Sequence, residues 1–280
     1  MTTRVAIPSK GRLRDACLAL LDHAGYPVGM FRGSGSRATV DGLELIEMRP
    51  RDAAAWLAAG RLSAAFISTD IAAEQGIEDW PAVELGLSRS DLVLAARDDD
   101  DRRSAADLAG ATVATHLPDT TARWFGARGI DVTVVPMGGS LEGVCAAGLA
   151  DAIVDLRETG TSLAQNRLRV VEVMARCQAL FVQAPEAPPA LSGLVLRLGA
   201  ALEARRRQYV LLHVPTDKLD ELTALFGGLE APTVIPLAGR DDLVAAHLVV
   251  ERSELWAQLE ALRALGATGI VALPADAVVL

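Results

Sequence analysis

Short apolar runs alternate with longer amphipathic stretches over the first two thirds of the chain. Residues 4–8, 43–48 and 64–68 read as strands. Between them, residues 13–24 carry apolar side chains at helical spacing and stop at Gly25, and 51–59 do the same before Gly60. This βα alternation predicts a parallel or mixed α/β sheet. The run RDDDDRRS at 97–104 reads as a solvated charge block and a boundary. Beyond it, 112–115, 132–136 and 152–155 read as strands of a second α/β unit with helices between them. The Pro-rich stretch 184–190 marks a crossover between lobes. From residue 207 the pattern changes. Strands at 209–214, 233–237, 243–250 and 269–273, with helices at 217–226 and 253–265, give the ferredoxin-like order βαββαβ. The reading therefore divides the chain into lobe I (1–96 with 184–206), lobe II (97–183) and a C-terminal module (207–280).

Composition narrows the class. The 280 residues are 51% hydrophobic but only 4% aromatic, so the core is built from Ala, Leu and Val. A formal net charge of −9 argues against a nucleic-acid-binding surface. It does not bar small anionic substrates, which a few local arginines and a metal can hold. Cys17, Cys145 and Cys177 show no paired metal spacing, and an odd count suits a reducing cytoplasm. The histidines show no clustered metal spacing and read as structural or surface groups. No signal segment and no apolar run near ~18 residues is visible, so the expectation is a soluble cytoplasmic protein.

The segment 142–163 carries the sharpest chemistry. Ala152, Ile153 and Val154 form an apolar strand end, Asp155 follows, and a turn with Thr159, Gly160, Thr161 and Ser162 leads into a helix near Leu163. Free backbone N–H groups and hydroxyls at such a turn suit an anion. An acid just before it can hold sugar hydroxyls, so phosphate beside ribose is one reading. An ordinary capped helix after a buried strand is the other. At 7–13, IPSKGRL ends a strand and opens a helix, placing Lys10 and Arg12 where an anion would meet a helix N-terminus. Arg49 and Arg51, in MRPRD, follow a strand in the same manner. A solvated basic face is the alternative for both.

Residues 142–163 resemble the signature of the ATP phosphoribosyltransferases, the family that opens histidine biosynthesis. Glu142, Gly148, Ala150, Ile153, Asp155, Leu156, Thr159, Gly160 and Leu163 fall in register, and Ser162 stands where the family has Thr. IPSKGRL resembles the family's basic Gly-Arg-Leu segment. GLEAPTVIPLAG at 228–239 resembles a C-terminal segment of the long, regulated form. The resemblance spans the chain. It implies a two-lobed, periplasmic-binding-protein-like catalytic core and a ferredoxin-like (ACT-like) regulatory domain. It implies transfer of phosphoribosyl from 5-phosphoribosyl 1-pyrophosphate to N1 of ATP, with Asp155, Glu142 and Arg12 as catalytic residues. Asp155, Thr159, Gly160, Thr161 and Ser162 would bind the donor. Lys10, Arg12, Arg49, Arg51, Asp70 and Thr115 would face ATP or pyrophosphate. The resemblance further implies Mg²⁺ held through Glu142 and substrate oxygens, inhibition by histidine at Thr233 and His213, and a homo-oligomer between dimer and hexamer. The chain departs from the family where Ser63, Ala65 and Ser68 replace Asp, Gly and Gly, and where Leu117 replaces Tyr. These departures leave two other readings: a related transferase with a different acceptor base, or a non-catalytic solute-binding protein.

Overall fold

The sequence pattern is realised as three sheets in a computed structural model that describes residues 2–33, 35–226 and 231–279. The chain runs β1 (Thr3–Pro8), α1 (Gly11–His23), β2 (Arg37–Val40), β3 (Leu43–Met48), α2 (Pro50–Ala58), β4 (Ala64–Ser68), α3 (Thr69–Glu74) and β5 (Ala82–Glu84). It continues through β6 (Ser90–Arg97), β7 (Thr112–Thr115), α4 (Pro118–Gly126), β8 (Thr133–Pro136), α5 (Leu141–Ala146), β9 (Ala152–Arg157), α6 (Thr161–Gln165), β10 (Leu168–Cys177) and β11 (Ala179–Gln183). The remainder is α7 (Ser192–Arg206), β12 (Arg207–Pro215), α8 (Leu219–Leu225), β13 (Thr233–Leu237), β14 (Arg240–Glu251), α9 (Arg252–Ala264) and β15 (Thr268–Pro274). Two compact units result, Met1–Leu18 with Gly29–Leu191 and Ala19–Val28 with Ser192–Leu280.

The first unit holds two mixed sheets, ordered β2-β3-β1-β4-β11-β5 and β10-β6-β9-β7-β8. The parallel pairs of β1 with β3 and β4 occupy the middle of the first sheet, where both faces are covered, and in the second sheet β7 pairs in parallel with β9 and with the edge strand β8. That is why β1 and β4 read as unbroken small and apolar runs: Ala6, Ala64 and Ala65 are fully buried. One apolar cluster draws on both sheets, joining Ala65 and Ile67 to Leu94, Val113 and Val154. Ligands of such sheets bind outside the carboxyl ends of the parallel strands.

Two expectations fail here for a physical reason. The exchange between sheets does not occur at the charge block: β6 already belongs to the second sheet and β11 has returned to the first. The crossings therefore lie at 85–89 and at Gln178. Strands β2, β5, β6, β10 and β11 were not anticipated, and in β10 two register shifts break the alternation that would reveal it. Nor is the block at 97–104 simply solvated. Asp100 is 8% exposed and accepts from the Arg102 guanidinium at 2.6 Å. Arg102 reaches on to Asp151 at 2.9 Å, whose second oxygen takes the Thr112 N–H at 2.8 Å. Arginines flank the four aspartates, and Arg97 and Arg102 on either side of Asp100 let this one carboxylate leave water.

The second unit contains the ferredoxin-like order β12-α8-β13-β14-α9-β15, with sheet order β13-β14-β12-β15, antiparallel throughout. Period-2 alternation buries Val210, Leu212 and Val214 of β12 and Ala246, Leu248 and Val250 of β14 against Leu222, Leu255 and Leu262 of the helices. This unit begins earlier than residue 207. It takes in α7 and residues 19–28, where the Arg197 guanidinium lies 4.8 Å from the Tyr26 ring centroid. Residues 228–230 of the segment at 228–239 lie outside the described residues.

Candidate active site

Strand β9 is buried through Val154, and its last residues emerge at the carboxyl end of the sheet. Asp155 stands there, its Oδ1 accepting the Leu156 N–H at 2.7 Å and lying 3.5 Å from Nδ1 of His116. Burial pushes the Asp155 carboxyl above the usual range. The Leu156 N–H and His116 pull it back, and the Glu142 charge raises it further. The turn that follows needs a left-handed residue to enter α6, and Gly160 supplies it at φ +81°. Around it the exposed hydroxyls of Thr159 and Thr161 lie 3.0 Å apart, and Ser162 Oγ donates to Glu142 at the start of α5. Glu142, Asp155 and the hydroxyl turn thus converge on one end of the second sheet.

Cations reach the same end from the first sheet. Gly11, at φ +78°, opens α1 between Lys10 and Arg12, and Arg12 pairs with Glu158 of the turn. Arg51 in the first turn of α2 donates to the His116 carbonyl and lies 3.8 Å from Glu74. Arg49, exposed, stands at the residue before the same helix, with no side-chain bond to its first turn. A cavity of about 440 Å³, lined in part by Arg89, Asp91, Arg157, Glu158 and Arg176, adjoins the turn.

Two of the expected residues are placed differently. Thr115 is fully buried, and its hydroxyl is committed: it donates to Val154 O at 2.9 Å and accepts the Leu117 N–H at 3.0 Å. It ties the loop after β7 to the strand that carries Asp155. Asp70 is 3% exposed, and its Oδ1 has no hydrogen-bond partner among the described residues. It sits beside Cys177, whose thiol burial pushes up to about 11, with the Asp70 charge adding to that. Burial also raises Cys17 and Cys145, so the three thiols stay protonated. Thr233 and His213 are exposed residues of β13 and β12 in the second unit. Strand β14 separates them, with Thr233 opposite His247 and His213 opposite Ala245.

Reading the sequence missed His116, Glu158 and Glu74. Glu74, at the end of α3, accepts the N–H groups of Asp119 and Thr120 at 3.1 and 2.8 Å and so caps α4. No local signal marks it, because the two N–H groups it accepts lie more than forty residues away. Three of the departures from the family pattern sit without backbone strain. Leu117 is fully buried in the core, Ala65 lies inside β4, and Ser68 has φ −120°, where any residue fits.

Replacing Thr115 by Val strands the Val154 carbonyl and the Leu117 N–H while keeping the shape. The expected loss is about 2 kcal/mol, read as a lower urea midpoint with an unchanged slope. An unchanged midpoint would show that the hydroxyl is idle.

A two-lobed α/β sheet pair with a hydroxyl-rich turn, an adjoining carboxylate and nearby arginines offers the groups that a phosphosugar-handling enzyme needs. Residues 49–202 match the ATP phosphoribosyltransferase (HisG) family, and 204–277 match the HisG C-terminal domain. The ATP phosphoribosyltransferase of Gemmatimonas aurantiaca is 37% identical, with 96% of each chain covered. That of Methanopyrus kandleri is 34% identical, over 97% of this chain and 98% of its own. The solved ATP phosphoribosyl transferase (HisG:HisZ) complex of Thermotoga maritima offers a chain 26% identical, with a TM-score of 0.60, covering 70% of this chain and 96% of that one. The chain belongs to the ATP phosphoribosyltransferase family. It is a transferase of histidine biosynthesis, using ATP and phosphoribosyl pyrophosphate, and its α/β core shares the fold of that solved chain. The family is metal-dependent.

Proposed function

We propose that the hydroxyl turn and Asp155 hold the phosphoribosyl donor while the arginines of the first sheet hold ATP and the leaving pyrophosphate. The observation that carries this is the convergence of Asp155, Glu142 and Thr159, Gly160, Thr161 and Ser162 at one end of β9. Backbone N–H groups and hydroxyls of the turn cradle the 5-phosphate, and Asp155 accepts from the ribose hydroxyls. Lys10, Arg12, Arg49 and Arg51 neutralise the polyphosphates. Asp70, with one carboxylate oxygen lacking a donor, is a candidate acceptor on the ATP side only after local rearrangement. Adenine N1 bonds to the anomeric carbon from the face opposite the pyrophosphate, and the breaking C–O bond leaves its electron pair on pyrophosphate. N1 brings its own lone pair, so positioning and electrostatics carry the rate. The carboxylates of Asp155 and Glu142 face the positive charge that develops on the sugar.

Among the described residues no three His, Cys, Asp or Glu side chains converge on a metal position. Magnesium usually keeps substrate oxygens and one or two carboxylates, and Glu142 fits as such a donor. The ion would offset charge on the pyrophosphate.

We further assign the chain to the long, self-regulated form, with histidine bound on the second unit near Thr233 and His213. The HisG C-terminal domain match supports this, as does the end-to-end coverage of curated relatives. A homo-oligomer, dimer to hexamer, working in the cytoplasm completes the proposal. No described helix is long and apolar enough to cross a membrane.

The test mixes full-length protein, Mg²⁺, phosphoribosyl pyrophosphate and ATP and follows the absorbance of the adduct. Turnover suppressed by histidine is the expected result. Folded protein without turnover would overturn the donor and acceptor assignments. Turnover insensitive to histidine would remove the regulatory assignment alone.

A further inference from the structure

We infer that His116 is a positioning residue for the phosphoribosyl donor, orienting the Asp155 carboxylate toward the ribose hydroxyls. The inference rests on the reading that Asp155 binds the ribose. An ionised carboxylate has about four lone-pair sites. In Asp155 the Leu156 N–H at 2.7 Å and the His116 ring at 3.5 Å address the same oxygen, Oδ1. With its proton on Nδ1, the ring would donate to that oxygen once the contact shortens, and the two donors together would fix the plane of the carboxylate. The other oxygen is then left for a pair of adjacent hydroxyls. Both side chains are about a quarter exposed or less, at 25% and 21%, open enough for a substrate and too confined to wander.

The backbone of His116 is clamped on each side, which distinguishes it from a surface histidine. Thr115, before it, donates to the carbonyl of Val154, the residue preceding Asp155. Leu117, after it, is buried and donates its N–H back to Thr115 Oγ1. The carbonyl of His116 itself accepts from Arg51. The imidazole is thereby held in register with Asp155 by two covalent neighbours and one arginine. A contact of 3.5 Å is long for a hydrogen bond, and such contacts tighten when substrate closes the site. His116 also opposes what burial and the Glu142 charge do to Asp155, favouring the ionised form that can accept two hydroxyls.

The test measures KM for each substrate and kcat in H116A, H116N and D155A, using full-length protein with Mg²⁺. H116N keeps an N–H donor near the Nδ1 position. H116A should raise KM for phosphoribosyl pyrophosphate about tenfold, with KM for ATP within about twofold, and H116N should recover most of the loss. An unmoved donor KM in H116A, or an H116N as impaired as H116A, would overturn the inference. Should H116A fail to fold, H116M fills the space without a donor and takes its place in the comparison. D155A separates the two layers. If D155A also leaves the donor KM unchanged, the ribose reading of Asp155 is wrong. If D155A raises it and H116A does not, only the role of His116 is lost.

Discussion

Replacing Asp155 by Ala is expected to lower kcat/KM for phosphoribosyl pyrophosphate by about a thousandfold while the protein stays folded. Two charge-assisted hydrogen bonds to ribose hydroxyls, at about 2 kcal/mol each, account for that factor. KM for ATP should move little, because the arginines proposed to face it are left in place. Stability should hold or rise slightly. Burial lifts the Asp155 carboxyl above its ordinary range, which means that the fold disfavours the ionised group, and its one backbone partner is the adjacent Leu156 N–H. A melting temperature equal to or above that of the parent, beside a collapse in donor turnover, would mark a residue kept for function at some cost to stability. Unchanged donor kinetics would refute the assignment. A fall of several degrees in melting temperature would recast the lost activity as a folding defect.

The second large effect concerns stability. Asp100→Ala removes the hub that Arg102 grips, and a buried or half-buried guanidinium then loses one of its two carboxylates. The expected loss is about 2 kcal/mol, roughly a 5 °C fall in the melting temperature of the catalytic unit. The pH dependence has a definite sign. The Arg102 side chain, above all, holds the Asp100 carboxyl down at about 2, below its unfolded value near 4. Its contribution is therefore present above about pH 4 and disappears as the pH falls through about 2. Acid unfolding of the parent should steepen across that window, and in Asp100→Asn the same window should be flatter. Equal slopes for the two proteins would show that the network carries no net stability. Donor and acceptor KM values should be unaffected, since the block lies away from the hydroxyl turn in sequence and the Asp100 carboxylate is turned onto Arg102.

Both predictions turn on features that differ in how far the sequence reveals them. Asp155 and the turn through Gly160 are local. A strand, an acid, a glycine that must adopt positive φ and a helix start follow one another within a dozen residues, so residue order alone specifies them. The same holds for Lys10 and Arg12 about Gly11, and for the alternation of β12 and β14. Period-2 and period-3.6 patterns are properties of neighbours along the chain, and those are what a sequence displays.

What the tertiary structure alone decided is pairing over long separations. The charge run at 97–104 looked solvated because a sequence shows charges but not their partners. Asp151 and Arg169, about fifty and seventy residues on, turn it inward. Thr115 looked like a ligand contact until Val154, 39 residues away, claimed its hydroxyl. His116 was read as bland for the converse reason: its partner Asp155 is likewise 39 residues distant, and the parallel register of β7 with β9 brings the two strand ends together. By itself the sequence determined the order of the α/β elements, the ferredoxin-like module and the hydroxyl turn with its acid, since each is encoded by adjacent residues. Which strands change sheet, which charges leave water and which histidine meets the acid were decided by the fold, because burial and hydrogen bonding depend on what lies nearby in space.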